Sequence, residues 1–311
     1  MLTSVPGFKV GHYTDSTAMT GCTVVLCPPK TRASCEVRGN SPGSRELALL
    51  APEKSMQEVH AILLTGGSAF GLAASEGVMR WLEEHKIGYE TPWARVPIVP
   101  AAVVFDLNVG SSTVRPDAAA GYEACESATA NPIEEGNVGA GTGVTVGKWM
   151  GSEHWMKGGL GSTTFRNGPL LIGALAVVNA VGDVVDEKGD VLAGARASDG
   201  GFLGDRQKHR PLARGKVLED VNTTLALVAT NASFTKLELF RIAQRMHDGM
   251  ARAIVPVHTS YDGDVSFALS CGPERADLDY VAELAALLTA EAIRRAVRAA
   301  KSVSGVPGLG R

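Results

Sequence analysis

Val221-Asn222-Thr223-Thr224 runs without a break into Leu225-Ala226-Leu227-Val228-Ala229. Five apolar residues in a row, entered through a polar step, read as a short strand buried on both faces. Comparable runs stand at 61–64, 101–105 and 170–178. A strand with no polar face must be covered on both sides, by helices or by a second sheet. Two sheets packed face to face, each with helices outside, satisfy all of these strands at once. The expected fold is α+β, a four-layer αββα sandwich.

The same junction has a chemical reading. Upstream, Asp199 to Lys216 is irregular, punctuated by Gly200, Gly201, Gly204, Pro211 and Gly215, and carries Arg206, Lys208, Arg210, Arg214 and Lys216. A loop of this kind, delivering a hydroxyl residue to the mouth of a buried strand, suits one chemistry. If the chain is cut between Asn222 and Thr223, Thr223 holds a free α-amine beside its hydroxyl. That amine has a reference pKa of about 7.7–8.0, so it can serve as base for its own side chain near neutral pH. The plain alternative is an ordinary loop-to-strand junction, which local pattern alone favours. Asn222-Thr223-Thr224 also fits the N-glycosylation acceptor pattern, which matters only in a secreted chain.

Composition narrows the field. The 311 residues carry a net charge of -3, so there is no basic field for nucleic acid. Aromatic residues make up only 5%, too few for base-stacking surfaces. No segment approaches the roughly 20 apolar residues of a membrane span. Met1-Leu2-Thr3-Ser4-Val5-Pro6-Gly7 lacks the basic flank and apolar stretch of a signal peptide. The five cysteines, Cys22, Cys27, Cys35, Cys125 and Cys271, are odd in number and lack metal-like spacing. Reduced thiols in a cytoplasmic protein are expected, with no metal and no cofactor.

Taken in order, 21–26 and 34–38 read as short strands, and His60 to Thr65 as an apolar strand closed by Gly66-Gly67-Ser68. A helix is expected from Ala69, with Phe70, Ala74, Val78, Trp81 and Leu82 on one face. The run 96–107 is broken by Pro97 and Pro100, which suits an edge or entry position. Pro116-Asp117 opens a helix to about Thr129. Gly136 to Lys148 superficially suggests a phosphate loop. Such a loop needs glycine five positions before its Gly-Lys pair and Ser or Thr after it. Thr142 and Trp149 occupy those places, so nucleotide binding is rejected. Lys148 is then either solvated or aimed into a cleft.

The run 169–180 ends at Asn179, which could cap a hairpin turn at Gly182-Asp183. A helix is expected over 236–252, with His247 and Asp248 as surface or helix-end groups. Asp262-Gly263 is a hairpin signal. Yet Asp262 and Asp264, two apart in an extended stretch, would point the same way, which a turn does not need. A last helix spans 278–301, followed by a tail, 302–311, expected to be loose.

Four separated stretches then agree: Leu64 to Leu72, Ile98-Val99-Pro100 leading to Val104-Phe105-Asp106-Leu107, Gly139 to Lys148, and Asn222-Thr223-Thr224 with His258 to Asp264. Together they resemble the self-processing hydrolases that include the nylon-oligomer (6-aminohexanoate-oligomer) hydrolases, the L-aminopeptidase/D-amidase-esterases and the β-peptidyl aminopeptidases. The resemblance covers nearly the whole chain, and Asn-Thr with Asp-Gly-Asp looks most like the nylon-oligomer branch. It implies a fold like that of N-terminal-nucleophile hydrolases and one domain, self-cleaved into 1–222 and 223–311. By the same resemblance Thr223 is nucleophile and new N-terminus, and Asn179 is an oxyanion or amine-positioning donor. Such a donor is worth about 3 kcal/mol in a transition state. Asp262 and Asp264 would hold the Thr223 amine or hydroxyl, and Lys148 would polarise the nucleophile or stabilise negative charge. One departure is visible: where the nylon-oligomer hydrolases carry a tyrosine near the site, the aligned position here is Phe105.

The expected partner is a small amide or oligoamide, and the family suggests homotetramers of cleaved heterodimers, with no nucleic acid or membrane. Three further readings stand beside the nylon-oligomer one. An aminopeptidase or amidase-esterase would act on small aminoacyl substrates. An acyltransferase like the ornithine acetyltransferases would replace water by an amine, and an uncut binding protein would do neither.

Overall fold

The computed structural model describes residues 1–207 and 222–311. The loop residues Lys208, Arg210, Pro211, Arg214, Gly215 and Lys216, together with Val221 and the side chain of Arg206, lie outside the described residues. Two five-stranded sheets form the middle of the molecule. The first places Lys9–Asp15, Thr20–Leu26, Ala61–Thr65, Ala101–Val103 and Ser44–Arg45 side by side. The second orders Gly159–Asn167, Leu170–Asn179, Thr223–Ala232, Val265–Glu274 and Arg32–Val37. Each sheet is antiparallel except for one parallel pair, 61–65 with 101–103 and 223–232 with 265–274.

The apolar runs explain the layers because successive side chains alternate between faces. Leu225, Leu227 and Ala229 point between the sheets, where they meet Ile62, Leu64, Leu175, Val177 and Phe267. Ala226 and Val228 point outward with Ala174, Ala176 and Ala268, onto Leu239, Ala243, Met246, Ile293 and Val297 of two helices. Those helices are Lys236–Ala253 and Leu278–Ala299. Small alanines on this face let the helices lie close. On the other sheet Val24 and Leu63 face outward onto Ala74, Val78, Leu82, Ala120 and Ala124 of Ala74–Glu84 and Ala118–Glu126. The result is the αββα sandwich expected from the sequence. Leu227 is fully buried between the sheets, a position where truncation to alanine typically costs ~2–5 kcal/mol.

Helix starts follow their caps. Asp117 accepts from Ala120 N, Asp277 accepts from Tyr280 N, and Thr235 forms a capping box with Glu238. Four local expectations are corrected. The segment Ser68–Ala73 is 3₁₀ rather than α-helical, and Phe70 is exposed with the Arg115 guanidinium 3.8 Å over its ring. His247 is a buried group, not a surface one: its helix crosses the sheet edge there, and its Nε2 meets Glu36 O at 3.1 Å. Gly182-Asp183 does not turn back onto 170–179; Asp183–Val185 joins a small separate sheet with Ile254–Val255 and Val191–Ala193. The tail is packed, not loose, because its backbone is paired: Gly310 N donates to Ala300 O and Lys157 N to Pro307 O. Among the described residues, no helix is long and apolar enough to cross a membrane.

Candidate active site

The three central strands of the second sheet bring their ends together on one side of the molecule. Thr223 opens its strand directly opposite Asn179, the last residue of the neighbouring antiparallel strand. On the other side Asn222 bridges Asp262 in parallel, and the paired strands continue as Leu225 beside Val265. The sheet becomes polar where it ends, so these side chains meet in an otherwise apolar setting. Asp262-Gly263 is consequently no hairpin. It runs parallel to 222–223 and feeds the next strand.

Thr223 is 5% exposed, and its hydroxyl donates to Asn222 O at 2.5 Å. The same carbonyl oxygen accepts from Gly263 N at 2.8 Å. The Gly263 N–H polarises this carbonyl and is placed to receive charge developing on its oxygen. Glycine at 263 is a matter of space: a Cβ there would stand 2.7 Å from Thr223 Oγ1 and 2.7 Å from Ser41 O.

The carboxylates hold backbone on either side. Asp264 Oδ1 accepts from Thr224 N at 2.6 Å, and its Oδ2 meets His258 Nδ1 at 2.7 Å. Asp262 Oδ2 accepts from the amide and the hydroxyl of Thr259 at 2.8 and 2.7 Å, and its Oδ1 accepts from Val181 N at 3.4 Å. Burial, then the negative charge of Asp264, pushes the Asp262 carboxyl above the usual carboxylate range.

Lys148 is aimed inward, not solvated. Its ammonium donates to Asn179 Oδ1 at 2.7 Å and to Asn179 O at 3.1 Å. Complete burial lowers its pKa to about 7, with Lys157 adding to the fall and Asp262 opposing it. The Asn179 amide is oriented from both ends: Oδ1 also accepts from Thr145 N at 3.1 Å, and Nδ2 donates to Phe105 O at 3.1 Å. At 105 it is the backbone carbonyl that makes this contact, so the contact does not depend on the Phe105 side chain. Asn179 caps no hairpin. Thr223, Asn179, Lys148, Asp262 and Asp264 thus lie together, linked directly or through one neighbour.

Sequence reasoning gave no role to three features of this region. Gly263 offers its N–H, which no side-chain pattern reveals. His258 stands out in the sequence only as the first residue of the stretch His258 to Asp264. Lys157, fully buried, donates to Thr142 O and Val144 O beside a buried Asp106, and its one signal was a lone charge amid glycine and apolar residues. Among the described residues, no group of three His, Cys, Asp or Glu side chains is placed to hold a metal ion.

The sequence profile of peptidase family S58 matches residues 1–310. The chain belongs to that family. It is 40% identical to an uncharacterized aminopeptidase of Mycobacterium leprae (strain TN), over 98% of this chain and 92% of the relative. It is 33% identical to a 6-aminohexanoate-oligomer endohydrolase of Agromyces sp. (strain KY5R), over 85% of this chain and 73% of the relative. An L-aminopeptidase D-Ala-esterase/amidase from Ochrobactrum anthropi, solved as a variant of the Ntn-hydrolase fold, overlays with a TM-score of 0.74 at 19% identity, covering 98% of this chain and 88% of that one. A Burkholderia sp. β-aminopeptidase gives 0.73 at 21%, covering 99% and 90%. These two structures show the fold, which is of the Ntn-hydrolase type.

Proposed function

We propose that this protein is a self-processing amide hydrolase whose nucleophile is Thr223. Membership of a peptidase family supports hydrolysis of amide or peptide bonds. The observation that carries the finer reading is the Thr223 hydroxyl lying 2.5 Å from the oxygen of the Asn222 carbonyl, which Gly263 N–H also holds. Oγ1 attacks the Asn222 carbonyl carbon, the C–N bond to Thr223 breaks, and the nitrogen takes a proton to become a free amine. Water then opens the resulting ester, leaving a carboxylate on Asn222 and the hydroxyl on Thr223. One domain would remain, built from residues 1–222 and 223–311.

In the processed enzyme the same hydroxyl attacks a substrate amide, with the new α-amine as base. Lys148 and Asn179 would stabilise negative charge, while Asp262 and Asp264 keep the nucleophile in register. Unbranched amides are the proposed substrates, with 6-aminohexanoate oligomers first because the chain is 33% identical to relatives that carry that activity in their names. Small aminoacyl amides or esters form a second reading, favoured by the 40% identity to a mycobacterial aminopeptidase.

Intact-mass measurement tests the cut: purified protein should yield fragments 1–222 and 223–311, and Thr223→Ala should stay whole and inactive. A boundary elsewhere would sink the assignment of Thr223. Released amine from aminohexanoate oligomers, set against amino-acid p-nitroanilides, decides between the two substrate readings.

A further inference from the structure

His258 has a use that the proposed reaction does not yet include. It lies six residues before Asp264, with a backbone φ of 53°, in the left-handed region disfavoured for residues bearing a Cβ. Its Nδ1 is 2.7 Å from Asp264 Oδ2. An ionised carboxylate only accepts, so Nδ1 must be the protonated nitrogen. Nε2 is buried and has no hydrogen-bond partner among the described residues. The ring of His247 meets it edge-on, with centroids 4.8 Å apart.

Asp264 is fixed everywhere else. Its carbonyl accepts from Arg38 N and Gly39 N, both at 3.1 Å. A Cβ on Gly39 would come within 2.0 Å of Asp264 N, so that strand packs directly on it. Oδ1 is taken up by the amide of Thr224, the residue next to the nucleophile. Rotation about the Cβ–Cγ bond is opposed by this amide on Oδ1 and by the imidazole on Oδ2, the second of the two hydrogen bonds that hold the carboxylate among the described residues.

We infer that His258 is a positioning residue: its Nδ1–H locks the Asp264 carboxylate so that Oδ1 stays on Thr224 N–H and holds Thr223 in register for attack. The role rests on Thr223 being the nucleophile. It is not a turn requirement, because the left-handed backbone alone could be supplied by glycine.

Two substitutions separate these possibilities. His258→Gly keeps the backbone freedom and removes the donor. His258→Asn tolerates the left-handed conformation and places an amide N–H near the position of Nδ1. Processing rate, followed by intact mass, and kcat and KM on an amide substrate are measured for both beside the natural protein. His258→Gly should process and turn over roughly ten- to a hundredfold more slowly with KM little changed, the loss expected for one charge-assisted hydrogen bond. His258→Asn should recover most of the rate.

Equal rates for Gly and Asn variants, whether both high or both low with the fold intact, overturn the inference. If His258→Gly fails to fold, the Asn variant and a downfield imidazole proton resonance carry the test. That resonance should be present in the natural protein and lost in Asp264→Asn; its absence from the natural protein overturns the hydrogen bond itself. A natural protein that neither processes nor hydrolyses, yet shows the resonance, removes the proposed reaction and leaves the geometry standing.

Discussion

Lys148 and Lys157 are both completely buried, and burial lowers both to a pKa of about 7. They differ in what they face. Lys148 meets the side chain and carbonyl of Asn179, opposite Thr223, and the negative charge acting on it is that of Asp262. Lys157 holds two backbone carbonyls of the glycine-rich segment, and the charge beside it is Asp106. Asp106 in turn is tied to Thr20 Oγ1 and Gly67 N, both at 2.7 Å. Burial raises its pKa, opposed first by the Thr20 hydroxyl. A perturbed lysine therefore does not mark a site by itself. One lysine is coupled to the strand end at Asn222-Thr223, the other to the glycine-rich segment beside it.

Substitution by methionine, which keeps the bulk, should pull the two apart. Lys148→Met should slow processing by on the order of a hundred- to a thousandfold, as loss of one preorganised charge does. Its melting temperature should change less than that of Lys157→Met. Lys157→Met leaves the buried carbonyls of Thr142 and Val144 without this donor, a change that costs ~1–3 kcal/mol for each buried group left unsatisfied. Its processing rate, once folded, should stay within about tenfold of natural. Equal losses of processing in both variants would break the comparison.

A pH series sharpens it. The unfolded lysine keeps its proton up to a pKa of about 10.4, whereas folded Lys148 releases it at about 7. Between these values the unfolded state binds more protons, so stability rises with pH. Below pH 7 the full cost of burying the charge is present. In uncut Thr223→Ala protein, urea unfolding should show the added Lys148→Met change gaining on the natural lysine below pH 7 and losing that advantage by about pH 10. The span should be on the order of a few kcal/mol, and a flat difference across that range would remove the charge from the argument. The smallest effect is expected at Phe105. Phe105→Tyr should leave processing within about threefold, because Asn179 is held by the backbone carbonyl there.

The layers were legible because apolar runs on both faces leave few ways to be covered. Leu225, Leu227 and Ala226, Val228 sort between sheet and helices as alternation requires. The meeting of Thr223, Asn179, Lys148 and the two aspartates was legible only through resemblance to known hydrolases, since nothing local joins positions 148, 179, 223 and 262. His247 misled because a histidine near a polar helix end looks like a surface group, and only the packing of that helix on 32–37 buries it. Gly263 was hidden for another reason: its contribution is a backbone N–H, aimed by the register of two parallel strands. Phe70 was placed on the wrong side because the segment begins as 3₁₀, which rotates it off the helical face.

The register of Thr223 opposite Asn179 bears on how long the protein would last once cut. A break at 222–223 would create a chain end in the interior of a sheet, flanked by 170–179 on one side and 265–274 on the other. Exopeptidases need slack chain to draw in, and this end would have none. The newest terminus would be among the best protected points of the molecule, so trimming would have to begin at other chain ends.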